Sequence, residues 1–240
     1  MRKIFFASKQ IFFWHFLCFM QIFWQGQSCF QINTTPGKNN QINIVIDPFD
    51  ESVGFKVPNL QADIVLITHN HPDHNNAKAV KGPGGQAPFL ISNPGEYEIR
   101  EVYVQGIPAW HDEVLGKERG PVTIYTIDTE DLRVCHLGDL GQKELTDEQL
   151  EKIGEVDILM IPVGGVYTIT ASDAVKIIAQ IEPRIVIPMH YAIPGLKVKL
   201  DGVDKFLKEM GVKSVEPQQK LLIKKKDLPQ EETKVMLLKP

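Results

Sequence analysis

The chain has 240 residues, 43% hydrophobic and 23% charged, which is the balance of an ordinary globular protein and excludes collagen-like or low-complexity classes. The length suits one α/β domain or two small ones. A formal net charge of −4 gives no ground for non-specific nucleic-acid binding. Three cysteines, Cys18, Cys29 and Cys135, are too few and too widely spaced for a disulfide framework or a CxxC zinc knuckle, so reduced thiols and a cytoplasmic location are expected.

Residues 1–19 start basic and turn strongly aromatic. That resembles the opening of a secretory signal, but Lys9 and Gln10 interrupt the apolar run and no small-x-small cleavage site follows. The run is short for a membrane span. Translation from Met20 is a third option. The expectation is an extension, 1–19, outside a folded domain of residues 20–240, with a signal or anchor as the alternative.

From Met20 onward the pattern is one of short strands, later alternating with helices. Runs at 22–24 and 29–32 flank Gly26 and predict a hairpin. The polar stretch 34–41, with Pro36 and Gly37, is a turn. Apolar runs at 42–46 and 64–67 predict two further strands. The series continues at 89–91, 98–104, 122–127 and 132–137. Thr146 to Gln149 has capping-box spacing ahead of a helix. A buried strand is predicted at 158–163. A helix capped near Thr170 places Ala174, Ile177, Ile178 and Ile181 on one face. A strand at 184–188, a helix at 203–210 and strands near 221–223 and 235–238 complete the chain. The basic run Lys224-Lys225-Lys226 reads as a solvated strand end rather than an anion-binding patch. No repeat or linker divides the chain, so two stacked sheets with helices outside, an α/β (α+β) architecture, are expected.

The stretch Thr68-His69-Asn70-His71-Pro72-Asp73-His74 follows the apolar run 64–67 and packs three of the seven histidines and one aspartate into six residues. Imidazole nitrogens with a carboxylate are ligands for zinc, manganese or iron. His69 and His71 are two apart, so on extended backbone they point the same way. Asp73 and His74 follow Pro72, which suits a helical first turn, and so present themselves to a neighbouring position. Three more ligand-type residues stand at predicted strand ends: His111, Asp139 within Gly138-Asp139-Leu140-Gly141, and His190. Each alone has a bland reading as a core or turn residue; together they form a pattern. His136 is expected beside the ligands or in the packing rather than on a metal. Asp47, before Pro48, either orients a ligand histidine or is a plain turn residue. Gly164 to Thr168 either shapes a substrate pocket or is a strand-to-helix turn.

These residues resemble the metallo-β-lactamase superfamily, with its HxHxDH motif standing as His69 to His74, followed in order by His111, Gly138-Asp139 and His190. The resemblance runs from about residue 20 to the C-terminus. It is strongest to predicted metal-dependent hydrolases related to ascorbate-6-phosphate lactonase, through Gly26 to Phe30, Ile46 to Phe49, His136 to Asp139, Pro162 to Gly165 and Pro188 to Tyr191. Gln27 departs from that branch, where histidine often stands.

The resemblance implies a four-layer αββα sandwich with metals at the sheet edges. It implies two divalent metal ions, zinc or else manganese or iron. His69, His71 and His111 would hold one, Asp73, His74 and His190 the other, and Asp139 both. Asp73 would be catalytic as well, orienting the nucleophile or relaying its proton.

The expected function is hydrolysis of a small ester, lactone or phosphodiester by metal-activated water. Only about 50 residues separate Asp139 from His190, which leaves no room for the large inserted domain of superfamily nucleases. The alternatives are a metal-binding sensor or scaffold with little turnover, and a phosphodiesterase acting on nucleic acid or phospholipid. The expected partner is a small-molecule substrate. Nucleic acid is disfavoured, a membrane is relevant only if 1–19 is an anchor, and a homo-oligomer is open.

Overall fold

The computed structural model describes residues 19–37 and 41–240. The expectations for the N-terminal extension, with His15 and Cys18, thus lie outside the described residues. Phe19 is described, and the Lys224 ammonium sits 4.3 Å above its ring centroid.

Thirteen strands and three α-helices are formed among the described residues. The first sheet contains β1 (Met20–Gly26), β2 (Cys29–Thr34), β3 (Ile42–Ile46), β4 (Ile64–Leu66) and β5 (Phe89–Ile91), with β12 (Leu221–Ile223) added beside β1, in the order β12-β1-β2-β3-β4-β5. The second contains β6 (Gly95–Ile99), β7 (Val102–Trp110), β8 (Pro121–Thr129), β9 (Leu132–His136), β10 (Ile158–Pro162), β11 (Ile185–Met189) and β13 (Lys234–Val235), in the order β13-β11-β10-β9-β8-β7-β6. Both sheets are mixed, as the α/β sandwich of the sequence reading requires.

Alternation explains the layering. In β1, Met20, Ile22 and Trp24 are buried while Gln21, Phe23 and Gln25 are half-exposed, so one face meets the opposite sheet. β10 and β11 are buried at every residue, because both of their faces are covered. The main core joins the inner faces of both sheets to the buried side of α2 (Ala171–Ile181), whose Ala174, Ile177, Ile178 and Ile181 are those expected from periodicity. α1 (Asp147–Ile153) contacts β7 and α2, and α3 (Val203–Glu209) packs on α2 through the buried Phe206. Both predicted helix starts are reciprocal caps: Thr146 with Gln149, and Thr170 with Asp173. The outer side of the six-stranded sheet carries a smaller apolar cluster, including Phe49, Val53, Leu60 and Val80, contributed by the segment between β3 and β5. That segment contains 3₁₀ turns rather than α-helix, so this outer layer is built mostly of loop.

Strand direction places the site. β1 and β3 both run antiparallel to β2, and β4 runs parallel to β3. β7 and β9 both run antiparallel to β8, and β10 and β11 run parallel to β9. Within each sheet, therefore, the carboxyl ends of the candidate-bearing strands share one edge.

Three sequence expectations differ from the structure. The single strand at 98–104 is a hairpin, with Arg100 and Glu101 turning at φ 50° and 65° between β6 and β7. A two-residue turn with both φ positive is usually Asn-Gly or Asp-Gly, so Arg-Glu gives no local signal. β7 then continues through Pro108 instead of stopping before it. This is possible because β6 pairs with β7 only as far as Gly106, so no strand on that side needs an N–H from Pro108, whose carbonyl accepts from Gln149 Nε2 at 2.8 Å. The late strand at 235–238 is shorter, Lys234–Val235, with Leu238 in an isolated bridge to Gln218.

The β8–β9 turn has the same left-handed pair, Glu130 at φ 52° and the exposed Asp131 at φ 60°. Glu130 accepts hydrogen bonds from Thr34 and Thr35, so it is held in place. Asp131→Gly is expected to stabilise the fold by about 0.5–1 kcal/mol, because glycine adopts this backbone without a Cβ penalty. The check is a higher urea midpoint at unchanged m-value.

The basic run lies at the opposite edge from the candidate ligands, beside Glu101, Glu130 and Asp131. Lys225 bonds both Asp157 oxygens, at 2.9 and 2.8 Å, so acidic neighbours offset its charge. Cys29 and Cys135 are buried and free, and burial pushes both thiols up, which leaves them inert at neutral pH. Among the described residues no helix is long and apolar enough to cross a membrane.

Candidate metal centre

Every candidate ligand sits at or just beyond the carboxyl end of a strand. β4 leads into Thr68 and the 69–74 loop, β7 into His111, β9 into Gly138-Asp139 and β11 into His190. Gly138 is needed where it stands: φ is +56°, and a Cβ there would lie 2.8 Å from Val122 Cγ2 and 2.9 Å from Thr68 Cβ. It allows the Asp139 turn to press against the histidine loop. Gln27, Asp47 and His190 are also left-handed, at φ 53°, 46° and 51°. Such non-glycine residues carry roughly 1–3 kcal/mol of strain each and gather where surrounding contacts over-determine them.

The fold gathers two groups. One ring nitrogen each from His69, His71 and His111 lie within 4.8 Å of one another, as do ligand atoms of Asp73, His74 and His190. Asp139 stands between them. Its Oδ2 is 3.2 Å from His74 Nε2, 3.1 Å from His190 Nε2 and 3.7 Å from His111 Nε2. A third combination, Asp47 with His69 and His74, is equally close, but the Asp47 carboxylate is already engaged. Its Oδ1 accepts from Thr68 N–H at 2.8 Å, and its Oδ2 accepts from Thr68 Oγ1 at 2.6 Å and His74 Nδ1 at 3.0 Å.

That network sets two tautomers. Thr68 gives its hydroxyl proton to Asp47, so it can only accept from His69 Nδ1, at 2.9 Å. His69 therefore carries its proton on Nδ1 and points Nε2 into the site. His74, donating from Nδ1 to Asp47, does the same. His69 Nε2 is buried and lacks a hydrogen-bond partner, as do Nδ1 of His111 and Nδ1 of His190, whereas His74 Nε2 faces the Asp139 and Asp73 carboxylates at 3.2 and 3.4 Å. Buried ring nitrogens without partners are costly unless something occupies them, so the donor set fits divalent cations. His136 is satisfied on both sides: Nε2 donates to Ser28 O at 2.9 Å, and Nδ1 accepts from Gly138 N–H at 3.1 Å. With its ring edge-on to Phe30, it packs behind the site and has no nitrogen left for a metal.

The charges follow from the surroundings. Burial, reinforced by His74, pushes His69 down to about 2, and burial pushes His111 down to about 4, so both rings are neutral at ordinary pH. Burial opposes the charge of Asp139, yet His190 and His74 outweigh it and hold the carboxyl well below the usual range. The same contest, with His74 and Gln27 as hydrogen-bond donors, holds Asp73 low. Burial alone would strip His74 of its proton, but Asp139, with hydrogen bonds to Asp139, Asp47 and Asp73, raises it well above the ordinary value.

The sign for metal binding is then fixed. The surrounding carboxylates favour the protonated form of His74, so a cation at Nε2 competes with a proton, and binding is expected to release protons and to strengthen as pH rises. Calorimetry in two buffers of different ionisation enthalpy measures this release. Equal heats in both buffers would contradict it.

Three contacts were not visible in the sequence. Ser28 Oγ donates to Asp139 Oδ1 at 3.0 Å, Thr68 links His69 to Asp47, and Gln27 Nε2 donates to Asp73 Oδ2 at 3.1 Å. Ser28 and Asp139 are 111 residues apart, so no local pattern could pair them. The Gly164–Thr168 segment lies between two turns that carry candidate ligands, with Gly164 against the His190 carbonyl and Ile169 N–H bonded to Leu140 O.

Residues 21–190 match the family described as Beta-lactamase superfamily domain. The chain belongs to the metallo-β-lactamase superfamily. A UPF0173 protein of Pyrococcus abyssi is 34% identical over 202 residues, covering 73% of this chain and 85% of the relative. A UPF0173 metal-dependent hydrolase of Thermococcus onnurineus is 30% identical over 171 residues, covering 62% and 76%. Among solved structures, a candidate Zn-dependent hydrolase of this superfamily from Thermotoga maritima superposes with a TM-score of 0.71 at 34% identity, over 92% of this chain and all of that one. The superfamily member's fold is therefore the sandwich expected from the sequence, and its family is one of metal-dependent hydrolases.

Proposed function

We propose that the chain is a dinuclear metal hydrolase acting on a small ester, lactone or phosphodiester. The observation that carries this is the position of Asp139, one carboxylate oxygen reaching histidines of both groups. His69, His71 and His111 would hold one cation, Asp73, His74 and His190 the other, with Asp139 shared. Zinc suits the set, as do manganese and iron. The UPF0173 relatives, described as metal-dependent hydrolases, and the Zn-dependent description of the Thermotoga protein support the same reading.

The cations would supply charge that lowers the pKa of a water and stabilises negative charge on a carbonyl or phosphoryl oxygen. The protein residues do the rest. Asp47 locks His74 directly and His69 through Thr68, so both rings present Nε2 without searching for it. Asp73 is held ionised, which makes it an acceptor that orients the attacking water rather than a store for its proton. Water adds to the carbonyl carbon or phosphorus, the bond to the leaving oxygen breaks, and that oxygen takes up a proton.

Substrate choice falls to the loops beyond the strand ends. The loop after β7 is wound around Asp112, whose carboxylate accepts from the backbone N–H groups of Val114, Gly116, Glu118 and Arg119. Arg119 from this loop lies 5.9 Å from the ring centroid of Tyr167 in the loop after β10, so the two loops meet. The test is a screen of lactones, carboxylic esters and phosphodiesters with Zn²⁺- and Mn²⁺-loaded protein. Hydrolysis of one class, abolished by chelation and restored by metal, supports the reading; metal-free protein turning over as fast as loaded protein contradicts it.

A further inference from the structure

The two-residue turn between β1 and β2 reaches both acidic candidate ligands. Ser28 Oγ donates to Asp139, and Gln27 Nε2 donates to Asp73 Oδ2 at 3.1 Å, the same oxygen that lies 3.4 Å from His74 Nε2. The Gln27 backbone carbonyl accepts from His190 N–H at 3.1 Å and from Trp24 Nε1 at 2.9 Å. Gln27 thus touches Asp73 by its side chain and His190 by its backbone, two of the three members of the second ligand group. It is 1% exposed, held at φ 53° in a turn where glycine or asparagine would sit with less strain. Its other amide atom, Oε1, is buried with no partner. A buried amide oxygen left unpaired costs roughly 1–3 kcal/mol, and no protein group supplies its donor, so a water or bound group on the Asp73 side is the partner it can take.

We propose that Gln27 is a positioning residue for the second cation site: its Nε2–H holds the Asp73 carboxylate, and its Oε1 takes a hydrogen bond from a water on that side. The proposal rests on the dinuclear reading above. An amide suits both tasks at once because it donates and accepts at neighbouring atoms and stays neutral at any working pH. A carboxylate in its place would repel Asp73, and an apolar side chain would leave the Asp73 oxygen free to swing.

The test separates holding the turn from holding the site. Gln27→Asn suits the left-handed turn better than glutamine does, but its amide is one methylene short of Asp73. Gln27→Met keeps the length and removes both polar atoms. Cobalt(II) is titrated into metal-free wild type and each variant and followed by its visible absorption. His71→Ala identifies the phase that belongs to the His69–His71–His111 group. In Gln27→Asn, the other phase is expected to weaken about 10–100-fold, the range for a residue that orients a ligand. The first phase stays put, and thermal stability of the metal-free protein does not fall. In an Asp73→Ala background, Gln27→Met is expected to add less than about two-fold to the weakening.

Wild type taking up fewer than two cobalt ions would overturn the dinuclear reading and the proposal with it. Wild type taking up two, with both Gln27 variants binding the second within two-fold of normal, would overturn the proposal alone. So would a weakening by Gln27→Met that is equal with and without Asp73.

Discussion

Asp139→Ala is expected to remove the second cation, weaken the first by more than 100-fold and lower hydrolysis by at least about 1000-fold. The magnitude exceeds the roughly 10–100-fold loss typical of a residue that only orients a ligand, because Asp139 Oδ2 stands within 3.7 Å of three histidine Nε2 atoms drawn from both groups. No neighbouring carboxylate can substitute. Asp47 is consumed by Thr68 and His74, and Asp73 lies on the His74 side. Asp139→Asn keeps the shape and an oxygen for Ser28 but loses the charge that two close cations require, so activity should fall nearly as far. Metal content by mass spectrometry and initial rates on a chromogenic ester or phosphodiester measure the two effects. Circular dichroism establishes that the variants are folded. A variant retaining two tightly bound cations would show that the two groups do not share Asp139.

Asp47→Ala has the largest expected effect on the fold itself. The substitution leaves three buried donors without an acceptor: Thr68 N–H, Thr68 O–H and His74 Nδ1–H. An unpaired buried donor costs roughly 1–3 kcal/mol, and with incomplete additivity the expected loss is about 3–4 kcal/mol. Alanine must also adopt the left-handed backbone found at φ 46°. Against a typical total of roughly 5–15 kcal/mol, the protein stays folded but melts many degrees lower. The tautomers of His74 and His69 are released together, since Thr68 couples His69 to the same carboxylate. Cation affinity at both sites should therefore fall about 10–100-fold, although Asp47 itself is not proposed to ligate. Asp47→Asn tolerates the backbone and keeps one acceptor, so it should lose affinity with a smaller loss of stability. Equal metal affinity in wild type and both variants would show that the relay does not orient the ligands.

Much of this site was legible because four of its candidate ligands are local. His69, His71, Asp73 and His74 sit in one loop, and a strand-then-loop pattern is enough to place them. His111, Asp139 and His190 are distant in sequence, and they were readable only as ligand-type residues recurring at strand ends. Strand direction gives the reason they meet: β4, β7, β9 and β11 bring their carboxyl ends to one edge. The supporting shell was not legible. Ser28 and Thr68 are small hydroxyl residues whose roles exist only after two sheets have stacked. Gln27 stands out in the sequence only as a departure from the histidine often found there in the related branch, and its contact with Asp73 exists only in the fold. The Arg100-Glu101 turn gave no local signal because neither residue favours a left-handed backbone; both are exposed, and Arg100 is tied to Asp63 at 2.8 Å.

The direct test of the central claim is the cation count of the wild-type chain. Freshly purified protein, and metal-free protein reconstituted separately with Zn²⁺, Mn²⁺ or Fe²⁺, would be weighed intact by native mass spectrometry. The account predicts about two cations per chain with at least one of these metals, and one or none in Asp139→Ala. A wild-type chain that never holds more than one cation would contradict it.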